Sequence, residues 1–375
     1  MRLFIGGDIV PTEVTRPFFD RSDLSALFGS TTGLVRSGDR VIANLECALT
    51  GSNTPIRKCG PNLRGKPADA RVLRDFGLTD IGLANNHVFD YGQPGYQDTL
   101  RALTAAGLRF TGCGENEQAA RQPLFLNADG QRVALIAVAE HEYSYALPDQ
   151  AGVWGFDPFE TMADIAKAKD QADLLIVAYH GGKEQSPYPS PRLRKACQAM
   201  ARAGADVVLC QHSHCIGVYE QYQGAHLLYG QGNFNFVGHS DHAHWQSGLL
   251  VQLDRYPDGR TVIEFHPVVV TKTGVTLAEG PDKAALLAGL QERSLILQDE
   301  ARWLAEWHAF CVSVAPGYRR AVADAFPDSS SLVPAQIFPH YLDCEAHLDV
   351  WHELYPTWHR EKTDEANHDK RSIST

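Results

Sequence analysis

The feature that most constrains this chain is a recurrence: short apolar runs that end on polar side chains, separated by stretches with helical spacing. Arg2–Gly7 leads into Asp8, Arg40–Leu45 into Glu46, and Thr79–Ala84 into Asn85-Asn86-His87. Leu174–Tyr179 leads into His180, and Asp206–Cys210 is followed by His212-Ser213-His214. Between them Ala68–Phe76, Gly95–Ala106 and Pro191–Ala203 carry apolar residues at helical spacing, and Gly107 is a stop signal. Val133–Val138 and Leu174–Tyr179 are unbroken apolar runs, the pattern of strands buried on both faces. Such alternation predicts βα units around a largely parallel core.

After His214 the pattern changes. Ile216–Tyr222, His226–Tyr229, Gly248–Leu253 and Thr261–Val270 are separated by Gln223-Gly224 and Pro257-Asp258-Gly259, which predicts antiparallel meanders. From Pro281 onward Lys283–Ile296 and Asp299–Val312 have helical spacing, and 347–358 predicts a further helix. Trp303, Trp307, Trp351 and Trp358 fall at helical spacing in pairs and read as packing residues. The expected organisation is one α/β domain over residues 1–275, a helical C-terminal extension over 281–360, and a charged, disordered tail over 361–375.

Composition narrows the function. A net charge of −11 argues against a protein that tracks nucleic-acid phosphates. No apolar run approaches the roughly 18–20 residues that cross a bilayer, so no membrane span is expected. The first residues read as a strand and not as a signal peptide. The eight cysteines include no Cys-x-x-Cys pair, which excludes zinc ribbons and thioredoxin-type motifs. A cytoplasmic protein with reduced thiols is the resulting expectation, with Cys47 and Cys215 as small buried apolar residues.

In an open α/β sheet the C-terminal strand ends converge on one crevice. Asp8, Glu46, Asn86, His180, His212 and His214 would then meet as a set of nitrogen and oxygen donors for a divalent metal. Mixed donors suit Zn, Mn or Fe better than Ca or Mg. Arg64 and Lys66, in a Gly/Pro-punctuated loop, are candidates for binding a substrate carboxylate or phosphate, or else solvated loop charges. Asp90 could orient His87 or serve only as a turn residue. His239, His242 and His244 could supply a proton carrier or replacement ligand, or be exposed loop histidines; His239 is the one placed at substrate. Asn233 could support a ligand histidine by a hydrogen bond.

The order Asp, Glu, Asn-His, His, His-x-His resembles the calcineurin-like metallophosphoesterase superfamily. Leu83-Ala-Asn-Asn-His-Val-Phe-Asp-Tyr-Gly92, Tyr229-Gly-Gln-Gly-Asn-Phe-Asn-Phe236, Asn44-Leu-Glu46 and Asn62-Leu-Arg-Gly-Lys-Pro67 more narrowly resemble its CapA branch, linked to poly-γ-glutamate capsule synthesis. The resemblance covers roughly residues 1–275. It implies a four-layer metallophosphoesterase-like α/β fold, two mixed sheets flanked by helices, ahead of the helical extension. It further implies one or two divalent ions held by Asp8, Glu46 (bridging), Asn86, His180, His212 and His214, with His87 as general acid beside Asp8 in the catalytic set. Asp8-Ile9-Val10 departs from the superfamily's Asp-x-His and leaves one metal position short of a ligand. A metal-dependent hydrolase acting on a peptide-like or carboxylate-rich bacterial polymer is the favoured reading. A metal-assisted epimerase using His87, or a non-catalytic accessory subunit of a polymer-synthesis complex, are the alternatives.

Overall fold

In the computed structural model, which describes residues 1–325 and 337–355, the apolar runs become the central strands of two face-to-face sheets. The first runs Val275–Leu277, Thr261–Val270, Ser247–Arg255, Arg2–Ile9, Arg40–Leu45, Asp80–Gly82, Arg109–Thr111. The short strand Asn233–Asn235 also pairs with Arg2–Ile9, in parallel. The second runs Tyr219–Tyr222, Ala225–Leu228, Val207–Gln211, Leu174–His180, Gln131–Ala139, Leu124–Ala128.

Side-chain alternation divides the core into layers. Leu3 and Ile5 point between the sheets, onto a cluster with Leu135, Ile176 and Leu209, while Phe4 points to the opposite face with Phe28 and Phe76. Leu174 and Ile176 likewise enter the inter-sheet layer. Leu175, Val177 and Tyr179 face the helices Glu160–Lys169 and Pro191–Ala203. Helices therefore cover both outer faces, and the expected pair of mixed sheets flanked by helices is present. The helix at Glu160–Lys169 and the strand at Leu124–Ala128 were not legible as elements in the sequence.

The antiparallel pairing expected after His214 is present: Tyr219–Tyr222 pairs so with Ala225–Leu228, and Thr261–Val270 with both Ser247–Arg255 and Val275–Leu277. Ala225–Leu228 also lies parallel to Val207–Gln211, which makes the second sheet mixed. Gln223 and Gly224 both have positive φ (49° and 88°), which turns Tyr219–Tyr222 tightly back into Ala225–Leu228 and restores the direction of Val207–Gln211. Turn residues specify the hairpin but not which neighbour its second strand will adopt.

The C-terminal helices Gly280–Gln298 and Glu300–Asp324 pack on this frame. Leu290 joins the inter-sheet core, and Ile296, Leu297 and Trp303 join the core of the second sheet. Trp307, Cys311, Tyr318 and Val350 form a separate apolar cluster, against which Trp351 packs. The tail 361–375 and Trp358 lie outside the described residues.

The helix Glu345–Leu354 is fixed by a buried charge network. Arg192 donates through Nη2 to Glu140 (2.5 Å) and through Nε to both oxygens of Asp349 (3.0 Å). Tyr179 Oη also donates to Glu140, and Ser190 Oγ to Asp349. Both carboxylates are under 10% exposed. Removing the guanidinium strands two buried charges, so Arg192→Ala should cost about 3–5 kcal/mol in denaturant unfolding. A loss below about 1 kcal/mol would show that water replaces Arg192 easily.

Candidate metal centre

One close backbone approach and two unusual backbone conformations build the site. Gly7, just before Asp8, lies against Gly232: a Cβ there would sit 2.1 Å from the Gly232 carbonyl oxygen. Only glycine permits this contact. It brings the Gly230-Gln-Gly232 segment against the first strand and sets Asp8 beside Asn233 in parallel register. The glycines of both motifs thus align two polar residues from opposite ends of the fold. His212 and His214 sit just beyond Val207–Gln211 with φ of 81° and 53°, a conformation unusual for non-glycine residues and common where function demands a side-chain direction.

The six candidate ligands converge. Asp8, Glu46 and His180 offer donor atoms within 4.8 Å of one another, and so do Glu46, His212 and His214; Glu46 is common to both groups. His180 Nε2 lies 3.0 Å from Asn86 Oδ1 and 3.3 Å from Glu46 Oε1. His214 Nδ1 lies 2.9 Å from Asn233 Oδ1, a carbonyl oxygen that can only accept, so Nδ1 carries the proton. That tautomer leaves the lone pair of Nε2 on the side of Glu46 Oε1, 3.9 Å away. Asn44 supports the group from behind, donating to Asp8 Oδ1 at 2.7 Å, and Asn85 donates in turn to Asn44 Oδ1.

Electrostatics supply the test of fit for a cation. Glu46 is fully buried, and neither of its carboxylate oxygens has a hydrogen-bond partner. An unpaired buried carboxylate is costly. Burial, and then the neighbouring Asp8, push its carboxyl well above the usual carboxylate range, against the opposing pull of His214. His212 Nδ1 is also buried and unpartnered. Burial holds His180 down to about 4, although Asp8 pulls it up. Burial with the neighbouring His180 and His214 holds His212 well below its ordinary value. Neutral imidazoles are the donor state a divalent cation requires, and a cation would offset the burial that otherwise favours the neutral Glu46 carboxyl. The donor set fits. Val10, where an additional histidine would be needed, is a buried apolar residue and supplies no donor.

His87 occupies a different position. Its Nδ1 lies 2.7 Å from Asp90 Oδ2 and 3.0 Å from Lys58 Nζ, and Lys58 pairs with Asp90 Oδ1 at 2.6 Å. Asp90 is therefore more than a turn residue. With Nδ1 engaged, Nε2 is the nitrogen left for chemistry. Burial and then the Lys58 ammonium hold His87 down to about 4, against the raising effect of Asp90.

His87, Asn86, His212 and His214 line a cavity of about 490 Å³, within the range of small-molecule sites. His239 lines it too, from an exposed position packed on Phe236 and Trp245. His242 also reaches it, and His244 does not. Arg64 and Lys66 are not among its lining residues. Arg64 is exposed, bonded to Ser52 and Asn53 and lying over the Tyr91 ring, and Lys66 pairs with Asp20 at 2.8 Å. The cations at the cavity are instead Lys58 and Lys183. Neither sits in a recognisable motif; a single lysine in a loop gives no sequence signal. Cys47 and Cys215 are buried, free thiols, as expected.

The chain is also similar to known proteins. The family model described as bacterial capsule synthesis protein PGA_cap matches residues 2–237. The capsule biosynthesis protein CapA of Bacillus anthracis is 29% identical over 271 residues, covering 70% of this chain and 66% of that protein. The PGA biosynthesis protein CapA of Bacillus subtilis is 28% identical, covering 61% of this chain and 62% of that protein. The matches thus span a little under two thirds of either relative. Among solved structures, a hypothetical protein from Thermus thermophilus aligns with a TM-score of 0.47 at 16% identity, over 71% of this chain and 98% of that one.

Proposed function

Since the chain belongs to the bacterial capsule synthesis protein family, we propose that it is a metal-dependent hydrolase acting on a peptide-like or carboxylate-rich substrate in capsule polymer synthesis or trimming. The observation that carries this reading is Glu46, a buried carboxylate without a hydrogen-bond partner, shared by two groups of donors at a cavity that also presents His87. Asp8, Glu46, Asn86 and His180 would hold one divalent ion, and Glu46, His212 and His214 a second, weaker or absent where Val10 offers no ligand. When bound, such ions supply Lewis acidity toward a scissile carbonyl or phosphoryl group.

The remaining tasks fall to the chain's own side chains. Asp90 holds the His87 ring so that Nε2 can carry a proton to or from the reacting group. Asn233 and Asn44 orient His214 and Asp8. Lys183, at the cavity wall, would receive the substrate's negative charge, with His239 as a neutral hydrogen-bonding neighbour, while Arg64 and Lys66 lie outside that wall. In a chain of net charge −11, such local cations would have to carry polyanion recognition. No helix among the described residues is long and apolar enough to cross a membrane.

The test is hydrolysis of chromogenic surrogates. Chelator-treated protein reloaded with Mn²⁺ or Zn²⁺ should cleave a γ-glutamyl anilide or a nitrophenyl phosphoester, and chelator should abolish that turnover. Metal-loaded protein that cleaves neither class would overturn the hydrolase reading while leaving metal binding standing.

A further inference from the structure

A second cluster of donors lies in the same cavity wall, outside the group that shares Glu46. Glu142 follows the strand Gln131–Ala139; His340 lies on the helix Ile337–Asp343, and His347 on Glu345–Leu354. The two histidines stand beyond the residues matched by the family. His340 Nε2 is 3.2 Å from Glu142 Oε1 and 3.2 Å from His347 Nε2, and one donor atom from each residue lies within 4.8 Å of the others. His347 is 7% exposed, and its other ring nitrogen, Nδ1, is 2.6 Å from Tyr318 Oη. Tyr143 stacks on His340 with ring centroids 5.1 Å apart, and Tyr341 on His347 at 4.1 Å, so both rings are held in place.

Hydrogen bonding alone satisfies this arrangement poorly. His340 Nε2 offers either one proton or one lone pair, yet it faces both His347 Nε2 and Glu142. As a donor it must split a single proton between two acceptors. As an acceptor it can take one proton, from His347 or from a protonated Glu142, and leaves the other partner unmet. A cation uses the lone pairs of all three atoms at once. Donors at zinc distances in a tetrahedron stand about 3.3 Å apart, close to both 3.2 Å separations. The contact with Tyr318 is the outer support that ligand histidines commonly have.

We propose that Glu142, His340 and His347 form a further divalent-cation site of the zinc type, with two nitrogen donors, one oxygen donor and a remaining position toward the cavity. The site joins the C-terminal helices to the loop after Gln131–Ala139 and stands whether or not Glu46 holds an ion. Its ligands come from segments far apart in sequence, so occupancy would also favour docking of residues 337–354 by mass action.

Cobalt(II) is the probe. Chelator-treated full-length protein is titrated with cobalt chloride, with bound metal measured by equilibrium dialysis and its coordination by visible absorption. Protein carrying His180→Ala and His212→Ala should still bind one equivalent, with the absorption of four-coordinate cobalt. His340→Asn in the otherwise native chain should lower the stoichiometry by one. Tyr318→Phe keeps the ring but removes the bond to His347 Nδ1, and should weaken that equivalent roughly 10–100-fold. Unchanged stoichiometry in His340→Asn together with unchanged affinity in Tyr318→Phe would overturn the site. Loss of the Glu46 equivalents alone, with this one retained, would bear on the proposed hydrolase and not on this cluster.

Discussion

Replacing His180 and His212 together by alanine is expected to remove the metal bound around Glu46 and, with it, all surrogate turnover. The pair is chosen because each histidine belongs to a different donor group and Glu46 belongs to both. Losing an outer support of a metal ligand costs roughly 10–100-fold in affinity, and loss of a ligand itself should exceed that. The backbone has little reason to collapse. His180 ends one strand and His212 follows another, and the packing of these strands resides in Leu175, Val177, Val208 and Cys210, which the substitutions leave intact. Elemental analysis should therefore show a fall of one or two equivalents per chain while the circular dichroism stays native. Equal metal content in the native and doubly substituted proteins would refute the assignment of these residues as ligands.

The parts of this molecule that were legible in sequence are those in which local pattern and position coincide. The unbroken run Leu174–Tyr179 becomes a central strand, Pro191–Ala203 a helix with Ser190 capping Leu193 N, and Thr261–Val270 a strand with those bounds. Asp8, Glu46, Asn86, His180, His212 and His214 could be expected to meet because parallel strands deliver their C-terminal ends to one place, and the structure does bring them together. What could not be read depends on contacts between distant segments. Lys58 reaches the site because its ammonium pairs with Asp90, more than thirty residues on. His340 lies in a stretch with little periodicity, and tertiary contacts such as the Arg192–Asp349 bond and the Tyr318 cluster determine which face of the C-terminal helices meets the cavity. Arg64 and Lys66 illustrate the converse. Their motif is recognisable, but the loop spends them on Ser52, Asn53 and Asp20.

His87→Asn is expected to lower turnover of any cleaved surrogate by about 10²–10⁴-fold, the range that positioned acid–base groups contribute, with metal content unchanged. The geometry separates it from its neighbour Asn86. Asn86 offers Oδ1 to the same space as His180 Nε2 and Glu46, whereas His87 turns Nδ1 away to Asp90 and Lys58. Asparagine preserves a short polar side chain that can still meet Asp90, so the Lys58–Asp90 pair need not be left uncompensated. It cannot move a proton at the position of Nε2. The measurement is turnover alongside elemental analysis on the same preparation. Loss of metal from the variant would make His87 a ligand and refute the division of labour between it and Asn86. Retention of both metal and full turnover would reduce His87 to a buried, hydrogen-bonded histidine, since a group that touches the reacting atoms cannot be removed without slowing the step it serves.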